Sequence, residues 1–237
     1  MEPSFRRPPR DNFRQYNPNY SGPGNTGHTG GMMPYLSNQP ARRGGGGGPA
    51  RLGVGRRLQA GTSYAVTYVV VIWAVHIVNQ YVLGGSLLAY GVHPLDTTAW
   101  WTVFTAPLIH GNFAHLISNT IPGALFTFVI AASGKHVWLK STLIITLVAG
   151  MGTWLIGGVG TVHIGASGVL YGWFAYLLVR GIFNRSFTQL VIGLVIASVY
   201  SGLIWGIFPT MPGVSWQAHL CGFIGGIIAG FVVRNTK

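Results

Sequence analysis

Carboxylates are nearly missing from this chain. Its 237 residues hold only three acidic side chains, Glu2, Asp11 and Asp96, and the first two stand in a polar N-terminal stretch. An aspartyl protease working inside a membrane needs two embedded aspartates, and a zinc protease of the His-Glu-x-x-His kind needs a glutamate between its histidines. Neither can be assembled here, so a general base within an apolar segment must be His, Tyr or Lys. Cysteine is equally scarce. With Cys221 alone there is no intramolecular disulfide, and the redox compartment stays open. Charge of either sign is low: 8% of residues are charged against 49% hydrophobic. A soluble domain carries about 25% charged residues, so lipid is the expected solvent. The net charge of +12 first suggests nucleic acid. The basic residues sit in the tail and in short loops between apolar runs, which argues against that partner.

Residues 1–60 read as a low-complexity, disordered, basic cytoplasmic tail, rich in Arg, Pro, Gly and Asn, with a glycine run at Gly44–Gly48. It has too little apolar surface to fold alone and is too long and polar for a signal peptide. Contact with anionic headgroups is a further role open to it. Residues 61–237 form one all-α membrane domain with six apolar spans, at 63–84, 113–132, 138–157, 167–180, 188–207 and 217–233. The long runs lack the alternation of a membrane barrel. The fourth span is short for a bilayer, which needs about 20 residues, and suits a helix that begins below the surface. All fifteen Lys and Arg fall in the tail, in or beside the second and fourth connections, or at the C-terminus. Both termini are therefore expected to be cytoplasmic, with spans two, four and six running inward from the outer face. The composition fits a bacterial plasma membrane.

Four residues at the head of the fourth span, Gly165-Ala166-Ser167-Gly168, place a serine at a helix start behind Gly157, Gly158 and Gly160. Helix packing explains such a tetrapeptide as readily as chemistry does. The free N–H groups and partial positive charge of a helix N-terminus suit a developing oxyanion. A serine hydroxyl needs a base, and the sixth span supplies His219. An imidazole inside a membrane is costly and marks function by default. Gly168 with Gly172, and Gly222 with Gly226, form small-xxx-small faces that let the two helices approach closely. His219 shares the face of Gly222. With no carboxylate to orient the ring, the pair is a dyad. Tyr171, one turn after Ser167, either packs on the imidazole or is an ordinary buried tyrosine; its spacing fits both. In span two His115 and Asn119 point the same way and can complete an oxyanion hole. His110 lies about 140° around from His115, which disfavours a shared metal, and it is read as a hydrogen bonder holding the adjoining loop. Cys221 reads as core, His76 as an interhelical hydrogen bonder, His163 as loop structure, and Trp205–Trp216 as a cap or gate over the site.

Together, Gly165-x-Ser167-Gly168 with Tyr171, Ala218-His219-x-x-Gly222 with Gly226, and His110-x4-His115-x3-Asn119 resemble the rhomboid family across 63–237. The resemblance implies a six-helix bundle and an intramembrane serine endopeptidase. It implies a Ser167–His219 dyad, with Ser167 as nucleophile and His219 as general base and acid. It further implies that Tyr171 packs on His219 and that His115, Asn119 and the Ser167 N–H hold the oxyanion. Transmembrane protein substrates and the bilayer are the expected partners, and neither cofactor nor metal is called for. The other reading is a non-proteolytic rhomboid-like protein that binds membrane clients; such relatives typically lack the serine or the histidine. A small-solute transporter fits less well, because no inverted repeat is visible. One departure concerns the first outer loop. Many bacterial members carry Trp-Arg there, and this chain has Trp100-Trp101-Thr102, so the loop lacks that arginine.

Overall fold

Six α-helices, with short 3₁₀ helices between some of them, make up the regular structure of the described residues in a computed structural model of the chain. The structure describes residues 53–234; the tail expectation for residues 1–52 lies outside them. The helices are α1 (Val54–Tyr81), α2 (Phe113–Ala131), α3 (Lys135–Ile156), α4 (Ser167–Phe183), α5 (Phe187–Val199) and α6 (Trp216–Val232). The first helix begins within the stretch read above as the end of the tail and carries Arg56 and Arg57 in its first turn. α1, α2 and α3 are each long and apolar enough to cross a membrane.

α4 is the hub. At 17 residues it is about 25 Å long, short of a hydrocarbon core of about 30 Å. It buries side chains around its whole circumference, among them Leu170, Trp173, Phe174, Tyr176 and Leu177. A helix apolar on every side is stable when other helices enclose it, and α2, α3, α5 and α6 do so. The outward faces of the enclosing helices are apolar and exposed, as at Ile121, Leu143, Leu194 and Phe231. Lipid is the solvent that leaves such faces unpenalised.

Close approach of α4 and α6 depends on glycine. A Cβ on Gly172 would stand 2.9 Å from the Gly222 carbonyl, and one on Gly226 would overlap the Gly172 carbonyl. At the far end of α4 the buried Arg180 donates from Nη2 to Ser133 Oγ at 2.7 Å, which ties α4 to the turn between α2 and α3. α1 leans on α2 through Tyr68 Oη, which donates to the Asn119 carbonyl at 3.0 Å, and Trp73 Nε1, which donates to Thr120 Oγ1 at 3.0 Å. His76 Nδ1 donates to the His110 carbonyl at 3.2 Å. Cys221 is buried, its sulfur facing Gly152 of α3.

The fifth span departs from the sequence expectation of a continuous 188–207 helix. α5 stops at Val199, and the chain turns by 72° into a 3₁₀ helix at Ser201–Ile207. Tyr200 leaves helical geometry with φ −109° and ψ 24°, and Ser201-Gly202 follows at the break. Such Ser/Gly pairs are common sites of sharp kinks. Hydropathy continues across the kink and so hides it.

Without the arginine, the loop between α1 and α2 is held by other groups. Thr105 Oγ1 donates to the Tyr90 carbonyl at 2.8 Å, and Trp154 Nε1 to the Asp96 carbonyl at 3.0 Å. Val92 and His163 exchange both backbone hydrogen bonds, at 2.8 and 3.0 Å. Asp96 is spent locally. Its Oδ1 accepts from the Thr98 N–H and hydroxyl, which hold its carboxyl below the usual range.

Candidate active site

The N-terminal ends of α2, α4 and α6 converge around a cavity of about 1010 Å³. Its wall includes His115, Asn119, Ser167, Tyr171, Gly206 and His219. Ser167 is the first residue of α4, and no side chain caps that end of the helix. The first N–H groups of α4 therefore have no intrahelical partner, and Ser167 lies in the cavity wall. Gly165 is what lets the chain enter α4 this way. Its φ is +110°, a conformation that L side chains rarely adopt. A Cβ there would also stand 2.5 Å from the His115 ring. The Gly165 N–H donates to the Ala106 carbonyl at 2.9 Å, which fixes the turn to the loop between α1 and α2.

Ser167 Oγ lies 2.8 Å from His219 Nε2. On the other side of the ring, His219 Nδ1 lies 2.9 Å from the Gly206 carbonyl. A carbonyl oxygen can only accept, so Nδ1 carries the ring proton and Nε2 presents its lone pair to the serine hydroxyl. The Tyr171 ring stacks on the imidazole with centroids 4.0 Å apart and planes 7° from parallel. Of the two placements left open by its spacing, the tyrosine adopts the one against the histidine. Both rings are buried, each 6% exposed.

His115 and Asn119 occupy successive turns of α2 and face the Gly165–Ser167 turn. Asn119 Nδ2 has no hydrogen-bond partner among the described residues. That leaves a donor available beside the first N–H groups of α4. The N-terminus of α2 is itself capped, with Asn112 Oδ1 accepting from the His115 N–H at 2.8 Å. His110 is buried, its ring edge-on to His115 at 5.1 Å. Its tie to the rest of the fold runs through the main chain, since its carbonyl accepts from His76. Burial first, then the neighbouring His115, push the His110 imidazole down to about 4.

The supporting glycines fall where the helices touch. A Cβ on Gly168 would meet the Ala218 carbonyl at 3.2 Å, and one on Gly222 would overlap the Gly168 carbonyl. These contacts bring the first turn of α4 against the first turn of α6, and Ser167 beside His219. Among the described residues no three His, Cys, Asp or Glu side chains group as a metal site.

Two participants were not visible as such in the sequence. Gly206 acts through a main-chain carbonyl, which has no residue signature. His163 does more than shape its loop. Its Nε2 donates to the Gly157 carbonyl at 3.0 Å, and its Nδ1 accepts from Ser215 Oγ at 2.6 Å. Ser215 in turn caps α6 by accepting from the Ala218 N–H. His163 thus links the loop before Ser167 to the helix end that carries His219.

Comparison with known proteins gives a concordant result. A family model described as a Rhomboid domain matches residues 97–236. The "Uncharacterized protein Rv1337" of Mycobacterium tuberculosis is 40% identical over 190 residues, covering 76% of this chain and 78% of the relative. A Mycobacterium leprae relative, also named as uncharacterized, is 36% identical over 189 residues, covering 76% and 74%. The "Putative rhomboid protease YdcA" of Bacillus subtilis is 27% identical over 146 residues, covering 58% and 69%.

Proposed function

Because the chain belongs to the rhomboid family and is a multi-pass membrane protein, we propose that it is an intramembrane serine endopeptidase with a Ser167–His219 dyad. One observation carries the reading. The Ser167 hydroxyl, the His219 ring and the Gly206 carbonyl form a single hydrogen-bonded line, at 2.8 and 2.9 Å. That is the order of nucleophile, base and orienting acceptor that acyl transfer requires.

His219 Nε2 takes the hydroxyl proton as Ser167 Oγ attacks the scissile carbonyl. The resulting oxyanion is met by the Ser167 N–H, Asn119 Nδ2 and the His115 ring. Fixed donors aimed at the place where such a charge develops act strongly on it. Collapse breaks the C–N bond, and the Nε2–H proton goes to the departing amine. Water then attacks the acyl-enzyme with His219 again as base, and Ser167 is regenerated.

The substrate is a transmembrane segment of another protein. It must unwind locally, since a helical peptide bond is shielded by its own backbone. α4 is short, and the fifth span is bent beside the cavity that holds Ser167. In this reading the six helices, with the broken fifth counted once, span a plasma membrane. The basic residues set both termini on the cytoplasmic side and Ser167 toward the outer leaflet.

The test is cleavage of a membrane-spanning reporter in proteoliposomes. Ser167→Ala and His219→Ala should insert and fold yet leave the reporter intact. Wild-type rates in either would refute the dyad. A folded wild-type chain that binds segments without cutting them would favour the client-binding alternative.

A further inference from the structure

The 3₁₀ helix after the α5 break is mostly exposed. Ser201, Gly202, Ile204 and Trp205 are exposed, and Leu203 and Ile207 are half-buried. Gly206 alone is buried, and it is the residue that touches the dyad. The contact is tight on two fronts. A Cβ on Gly206 would overlap the Tyr171 hydroxyl and would stand 3.1 Å from His219 Nδ1. Only a residue without a side chain can bring its carbonyl to this place. Among the described residues the one carboxylate, Asp96, is bound to Thr98. The orienting role that a carboxylate fills in a triad therefore falls to a backbone group.

We propose that Gly206 is a positioning residue: its carbonyl holds His219 in the Nδ1–H tautomer, and the dyad is competent only while the Ser201–Ile207 helix is docked. This deepens the protease reading and rests on it. A neutral imidazole released from the carbonyl can carry its proton on either nitrogen, and half of the choice puts N–H, not a lone pair, against Ser167 Oγ. The ring is also freed to turn about its last side-chain torsion, where the energy wells are broad. The anchor stands on the far side of a 72° kink. The segment that flanks the cavity through Gly202, Leu203 and Gly206 therefore also sets the base. A substrate that displaces this segment must let it return before chemistry proceeds.

The experiment uses the full-length protein in detergent micelles, with ¹⁵N-labelled histidine and a fluorophosphonate probe. The His219 ring signals are assigned by their loss in His219→Asn. In the wild type they should show a protonated Nδ1 and an unprotonated Nε2. Gly206→Ala drives a methyl group onto the Tyr171 hydroxyl and pushes the segment away. Its rate of Ser167 labelling should fall about 10²-fold, the usual cost of misplacing a reacting group by about 1 Å. Its ring signals should move toward a tautomer mixture. Gly206→Ala with Tyr171→Phe removes the colliding oxygen and should recover part of both signals, which separates lost positioning from lost folding. The proposal is overturned if Gly206→Ala labels at the wild-type rate. It is equally overturned if labelling falls while the His219 ring signals stay as in the wild type, or if the double variant recovers nothing. Failure of the protease reading looks different: Ser167→Ala would then react with the probe as the wild type does.

Discussion

Gly222 of α6 lies directly against the main-chain carbonyl of Gly168 of α4, with no room for a Cβ between them. This contact sets the separation of the two helices next to Ser167 on α4 and about one turn from His219 on α6. Gly222→Ala must therefore push α6 outward. Overpacking of this kind costs about 1–3 kcal/mol, and Ser167–His219 alignment should be lost with it. Thermal unfolding in detergent and probe labelling should both decline. Gly55→Ala is the control, because nothing lies within 4 Å of a Cβ there. It should leave stability unchanged or raise it by up to about 1 kcal/mol, as alanine replaces glycine in a helix.

Asn119 Nδ2 is a buried donor without a partner, which fits a group reserved for a charge that appears only during reaction. Asn119→Ala should lower kcat by about 10²- to 10³-fold, the range for loss of one oxyanion donor. KM should change little. Steady-state kinetics on a reconstituted substrate measures the split; a rise in KM with unchanged kcat would remove Asn119 from the oxyanion site.

Tyr171 contributes its ring face to His219. Aromatic pairs of this kind are worth about 0.5–1.5 kcal/mol beyond burial, or roughly twofold to tenfold in rate. Tyr171→Ala should lose at least that much, and Tyr171→Phe, which keeps the ring, should retain more activity than Tyr171→Ala. Reporter cleavage by the two variants side by side decides the point.

His110 is held neutral by burial, with its titration lowered from 6.5 to about 4. A depressed folded value means that protons bind the unfolded chain more readily. The associated stability is present above about 6.5 and is lost as pH falls toward 4. The full loss is about 3 kcal/mol. Melting curves between pH 7 and pH 4 should show the wild type falling more steeply than His110→Asn. Equal slopes would mean that this ring does not resist protonation.

Helix existence was legible in the sequence because lipid-facing and core-facing residues are both apolar and the runs between loops are long. Helix ends were less so. The start of α1 was masked by Arg56 and Arg57, whose charge resembles the tail and yet is tolerated in a first turn that faces outward. The break at Tyr200 was masked for the opposite reason, since Leu203, Ile204 and Trp205 keep the hydropathy high while the backbone turns. Within the cavity, Ser167, His219, His115 and Asn119 could be singled out because each is a polar side chain within the first two turns of a helix. Tyr171 could not be assigned from spacing, as a core tyrosine and a stacked one occupy the same helical position. The orienting carbonyl of Gly206 was beyond reach, because every residue has one and only the fold decides which meets the imidazole.

The most direct measurement is covalent capture of the nucleophile in the folded, membrane-reconstituted protein. A fluorophosphonate should form an adduct on Ser167, located by mass spectrometry of the digested chain, and His219→Ala should abolish it with the fold intact. An adduct that forms at the same rate without His219, or no adduct on the folded wild type, would contradict the account.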